Sequence, residues 1–215
     1  MKARVYPAVL SLASALLAPF ACRAADAAAP SHVFLDPDEP LLKDVRRLGE
    51  GTIDRVGTNL VLEVRRVLAR TPTVDAIGVM HLRDYKPPPR VPGTLWTVTQ
   101  LRRTSLRVRD PANAPDAADR AALDLIQSQL EQGEGVAKVL VQRVTLPGQP
   151  PEWRVYRPIS AMRECLQCHG KAATLDPRVA ARLQELYPED KAVNYREQDW
   201  RGLFRVSITE QSSAQ

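Results

Sequence analysis

The chain has 215 residues, with 30 Lys and Arg against 25 Asp and Glu and a formal net charge of +5. Losing residues 1–24 would remove Lys2, Arg4 and Arg23 and no acid, which lowers the formal charge to +2; no run of five or six like charges remains, so a nucleic-acid stripe and a basic membrane-binding helix are both excluded. Hydrophobic residues make up 44% of the chain but aromatic ones only 5%, so a single domain of this size can build a core and would gain from a large flat apolar body inside it.

Lys2 and Arg4 precede an uncharged stretch from Val5 to Cys22, followed by the small residues ACRAADAAAP. This is the pattern of a secretory signal peptide over residues 1–24, cleaved after Ala24 or Ala27, and it predicts a periplasmic protein. An uncleaved anchor is the alternative. Lipoprotein processing at Cys22 is a further one, although Pro19 stands where a Leu is expected. No transmembrane span is expected in the mature chain, and residues 25–39 read as an Ala/Pro-rich linker before one domain over residues 40–215.

Asp38 and Glu39 before Pro40 mark a helix start, and Val45, Leu48, Val56, Leu60, Val64 and Val67 predict one long amphipathic helix over residues 40–69, weakened at Gly49, Gly51 and Gly57. A second helix is expected from Thr73 to Arg83, with Val74, Ile77 and either Met80 or His81 on one face, before the loop YKPPPRVPG. Residues 94–109 are rich in Thr, Val and Leu and predict extended chain. DPANAPDAA is a turn into a helix from Asp116 to Gln132. VAKVLVQRVTL and PEWRVYRPI predict a hairpin, Asp176 to Tyr187 a helix closed by Pro188, and WRGLFRVSI a last strand. Helices first and antiparallel strands after them give an α+β domain with helices against one face of a small sheet.

The chemistry lies in MRECLQCHGKA, residues 162–172. With Cys22 lost, Cys165 and Cys168 are the thiols of an exported chain. A disulfide-exchange pair would open a helix beside a group that favours the thiolate, whereas the acidic Glu164 precedes Cys165 here. A zinc site needs four ligands, and beyond His169 only His32 and His81 remain, His32 within the linker. Covalent haem attachment needs two thiols separated by two residues and an adjacent imidazole beneath the iron, which Cys165, Cys168 and His169 supply. One haem c is therefore expected.

Five blocks carry a resemblance: AIGVM at 76–80, RTSLRVRDPANAPD at 103–116, VYRPI at 155–159, CLQCHG at 165–170 and YPEDKAVNYREQDWRG at 187–202. In this order they resemble exported c-type haem proteins built on a PAS-like domain, which occur alone or fused to signalling enzymes; the likeness runs over residues 45–210. It implies a PAS-like antiparallel sheet with a long N-terminal helix and flanking helices, one covalent haem, and His169 as proximal ligand. The family's distal Cys falls on Met80, a neutral thioether that would favour ferrous iron and raise the potential. His81, one residue on, is the alternative, and an open site the third. Where Asp110 stands the family favours Asn, and it favours Gly at Asn194 and Gln198; Gln substitutes for a turn Gly poorly. Arg103, Arg157 and Arg201 are candidates to pair with haem propionates, Arg103 being the one assigned.

The function expected is a periplasmic mono-haem cytochrome that carries single electrons to an unidentified periplasmic redox partner. No nucleophile, carboxylate pair or phosphate loop is evident, so no enzyme is expected. Two other readings stand beside it: a haem-based redox or gas sensor acting through a separate partner, and a zinc- or disulfide-stabilised binding module without haem.

Overall fold

Residues 30–78, 86–87 and 94–211 are described by a computed structural model. Five strands, β1 (Ser31–Leu35), β2 (Trp96–Thr104), β3 (Leu140–Thr145), β4 (Glu152–Ser160) and β5 (Trp200–Glu210), form one antiparallel sheet in the order β1-β3-β4-β5-β2. β3 and β4 form the expected hairpin, with Val141 opposite Val155. The same row continues through Leu35, Val206 and Leu101 across the other strands. Because side chains alternate along a strand, this apolar row lies on one face, and Leu140 and Tyr156 lie on the other.

Against the first face packs α1 (Lys43–Arg70), entered through a short 3₁₀ turn at Pro40–Leu42. Its buried residues, Val45, Gly49, Thr52 and Ile53, all fall in its first half. Gly49 sets the distance: a Cβ there would lie 2.5 Å from Val155 Cβ and Cγ2, so only glycine lets the helix come this near the sheet. Gly49→Ala is expected to destabilise the fold by about 2 kcal/mol, overpacking of up to ~3 kcal/mol being offset by ~1 kcal/mol of helix propensity. A lower urea midpoint at unchanged slope would register it. Beyond Ile53 the helix leaves the sheet, and Leu60, Val61, Val64 and Leu68 are only half-buried.

The second face carries α3 (Ala117–Glu131), started by Asp116, whose side chain accepts from the Asp119 amide. Ala122, Leu123 and Ile126 pack on Leu140, Tyr156 and Leu203. Helices therefore cover both faces of the sheet, not one as the order of elements suggested. Between α3 and the strands lies a buried charge cluster: the Asp119 carboxylate sits 3.2 Å from Arg154 and 3.4 Å from Arg205, with the Tyr156 hydroxyl 3.1 Å away.

Two further expectations are corrected. Residues 31–35, within the span read as linker, form edge strand β1, because the alternation of His32, Val33 and Phe34 pairs with β3. The helix expected over Thr73–Arg83 is only α2 (Thr73–Ala76): Ile77 is extended and Gly78 takes φ 92°, a left-handed conformation that ends a helix. The remaining helices are α4 (Leu166–His169) and α5 (Pro177–Leu186), the latter capped by Asp176. Among the described residues no helix is long and apolar enough to cross a membrane.

Candidate functional site

Where α1 leaves the sheet, a cavity of about 360 Å³ opens against α4 and the end of β5. Its apolar wall is Leu60, Val61, Val64 and Leu68 of α1, with Ile77 and Phe204. A 3₁₀ turn at Arg163–Cys165 runs directly into α4, and this short helical run brings Cys165, Cys168 and His169 to the same cavity. Cys165 is half-buried, Cys168 is buried, and both are free thiols. Burial pushes the Cys168 thiol up, against the pull of Arg109 and Arg201. A thiol held protonated is a poor disulfide-exchange nucleophile. Among the described residues no three His, Cys, Asp or Glu side chains gather to hold a metal ion.

His169 is held on both nitrogens. Nδ1 lies 2.6 Å from the Ala192 carbonyl and Nε2 lies 2.6 Å from Arg201 Nη2. A carbonyl only accepts and a guanidinium only donates, so the ring proton sits on Nδ1 and the lone pair on Nε2. Burial, then Arg201 and Arg109, hold the ring's pKa well below the usual histidine value, so it is neutral at neutral pH. A neutral imidazole that gives its Nδ1 proton to a carbonyl is the form in which histidine ligates a metal through Nε2.

The polar rim is cationic. Arg103 lines the cavity, makes no hydrogen bond or ion pair among the described residues, and has its pKa lowered to about 10 by burial and by Arg201. Arg201 Nε is buried without a hydrogen-bond partner among the described residues. Two guanidinium groups with donors to spare beside an apolar slot suit a flat apolar group that carries carboxylates. Arg157, the third propionate candidate, instead pairs with Asp54 of α1. Met162 lines the cavity beside the turn that carries Cys165. Met80, His81 and Cys22 lie outside the described residues; the helix that was to carry Met80 and His81 on one face ends at Ala76.

The loop before β5 completes the site. Tyr195 N donates to the His169 carbonyl at 3.0 Å, and Asn194 N to that of Gly170 at 2.7 Å. Asn194 has φ 63° and Gln198 φ 70°, the left-handed backbone that glycine adopts most readily. Among the described residues the Gln198 side chain makes no hydrogen bond that would offset the strain. Gln198→Gly is expected to add roughly 0.5–1 kcal/mol, and a rise of about 1–4 °C in Tm would report it. Arg109, Asp190 and Ala192 are site residues that residue chemistry alone did not single out. Their only signal in the sequence was their place inside the blocks RTSLRVRDPANAPD and YPEDKAVNYREQDWRG.

The residues so assembled could hold a haem: two thiols separated by two residues, a neutral imidazole whose Nε2 faces Arg201, an apolar slot and two arginines for its carboxylates.

Comparison with known proteins agrees in family. No curated protein matches the chain. Among solved structures, the crystal structure of the cyanobacterial heme-protein Tll0287 matches with 26% identity and a TM-score of 0.39, over 54% of this chain and 64% of that one, which is less than two thirds of its length. The model of the Tll0287-like family, described as Tll0287, matches residues 90–209, a span that contains Arg103, Cys165, Cys168, His169 and Arg201. That span is more than half of the chain, and the chain belongs to the Tll0287-like family.

Proposed function

We propose that the protein is an exported mono-haem c-type cytochrome that carries single electrons. The observation that carries this reading is the neutral His169 ring, which lines the same cavity as Cys165 and Cys168 and keeps its Nδ1 proton on the Ala192 carbonyl; its Nε2 faces Arg201, which an iron would have to displace. Haem, when bound, supplies a one-electron couple at its iron. Cys165 and Cys168 would tether it through thioethers, and His169 would ligate its iron through Nε2. Arg103 and Arg201 neutralise its carboxylates, while the apolar residues of α1 exclude water. Met80 is assigned as distal ligand, with His81 the alternative, and the near-infrared absorption of the ferric protein separates them. Every polar side chain named around the cavity holds or neutralises, which is why no enzyme is proposed. Residues 1–24 direct the chain to the periplasm, where its redox partner is found.

A sensor is the second reading, favoured by two ties. Arg65 of α1 pairs with Glu164 at 2.7 Å, and the Thr73 hydroxyl donates to Gln167 at 2.6 Å. Movement of α4 would thus reach the end of α1 and the start of α2. Adding CO to the reduced protein during a redox titration decides between the two. A reversible one-electron wave with an unchanged spectrum under CO is expected of the carrier, and rapid formation of a CO adduct overturns it in favour of the sensor.

A further inference from the structure

Arg109 touches every part of the histidine mount. Nε donates to Asp190 Oδ2 at 2.8 Å, Nη2 donates to the Cys168 carbonyl at 2.6 Å and to the Ala192 carbonyl at 3.3 Å, and Nη1 lies 3.4 Å from His169 Nε2. Asp190 uses its other oxygen, Oδ1, to accept from the Ala192 amide at 2.8 Å. The Ala192 peptide is therefore gripped at both ends, its N–H by Asp190 and its C=O by Arg109 and His169. One backbone and one side-chain hydrogen bond join the same segments: Lys191 N donates to the Val108 carbonyl at 2.9 Å, and Arg107 Nε to the Lys191 carbonyl at 3.2 Å. The pair is well shielded, with side-chain exposures of 14% and 10%.

A buried pair of this kind adds little to stability by itself, because desolvation offsets the attraction. Its geometry serves a different end. Only a rigid fork reaches Asp190, Cys168 O and Ala192 O together, and a lysine ammonium cannot. Cys168 O is also one of the end carbonyls that so short a helix leaves without an intrahelical donor.

We propose that Arg109 and Asp190 are positioning residues for the axial ligand, holding the Ala192 carbonyl where it draws the His169 Nδ1 proton and so makes Nε2 a stronger donor to iron. The inference rests on the haem reading above. A stronger donor favours ferric iron, so loosening the mount raises the reduction potential.

The test uses full-length protein matured in a host that makes c-type haem, with R109K, which keeps the charge and loses the fork, with D190N, and with R120K on the exposed face of α3 as control. R109K and D190N should carry haem, judged by intact mass, and should shift the reduction equilibrium toward ferrous by on the order of tenfold, ~59 mV for one electron. R120K should match the wild type. A purely electrostatic role predicts no shift in R109K, so haem-loaded R109K and D190N within about twofold of wild type overturn the proposal. Should R109K fail to accumulate folded, D190E, which keeps the charge and displaces the carboxylate, carries the same two outcomes. If the wild type itself has the mass of bare polypeptide, the haem reading has failed, and this inference with it.

Discussion

C165A/C168A protein matured with haem supplied should lose all pigment on denaturation, while each single variant keeps one thioether and a coloured, denaturation-resistant band. The expectation follows from how the two thiols sit. Both reach the cavity, neither is in a disulfide, and His169 follows Cys168 directly in α4. Their costs to the fold should differ. Cys168 is buried with Ile77, Val179 and Leu183, whereas Cys165 is half-buried. C168A should therefore lower stability by about 1 kcal/mol through lost packing, and C165A by less. In-gel haem staining beside urea unfolding checks both. A double variant that keeps its pigment after denaturation would place the attachment elsewhere.

The largest loss of stability is expected far from the cavity. Asp119 is fully buried between α3 and the sheet and faces two buried guanidinium groups. Arg154 keeps Asp116 at 2.7 Å and Glu152 at 2.6 Å when Asp119 is removed, but among the described residues Arg205 retains only Asp116 at 3.5 Å as an acidic partner. D119A thus strands one buried cation more than the other, and a cost of about 3–4 kcal/mol is expected, the range found when one member of a buried pair is deleted. Asp119 also receives the Tyr156 hydroxyl, so D119N, which keeps an acceptor oxygen, should lose less. Both variants should still bind haem by mass, because the cluster lies on the face opposite α1. A D119A midpoint within about 0.5 kcal/mol of wild type would show that the cluster relaxes or rehydrates instead.

Much of the architecture was visible in the residues because local rules and tertiary packing agree there. The apolar spacing from Val45 to Val67 made α1, the PGQP turn split β3 from β4, and Asp116 and Asp176 capped the helices they precede. Asn194 and Gln198 take the positive φ that glycine would take more readily, a strain that neither residue type announces in the sequence. What misled was local pattern without its context. Val74 and Ile77 have helical spacing, but Gly78 at φ 92° stops the helix, a choice that a glycine permits and does not announce. Ser31–Leu35 lies next to Ala- and Pro-rich chain and becomes a strand only because β3 offers it an edge. α3 covers the second face because Leu140, Tyr156 and Leu203 are apolar there, which strand order alone does not reveal.

Within the site, CxxCH spacing named Cys165, Cys168 and His169, since covalent geometry acts over four residues. The mount of His169 was hidden because it joins positions far apart in the chain: Arg109, Asp190 and the carbonyl of Ala192, an atom that every residue type carries. Arg201 was one of three arginine candidates, and only the fold shows that it reaches His169 Nε2 while Arg157 is engaged with Asp54.

The proposed haem is held in the cavity under α1 by two sulfurs and one imidazole. Its most direct test is the intact mass, under denaturing conditions, of wild-type protein exported in a host that makes c-type haem. The mass expected is that of the mature polypeptide plus one haem, and the mass of the polypeptide alone in a colourless sample would contradict it.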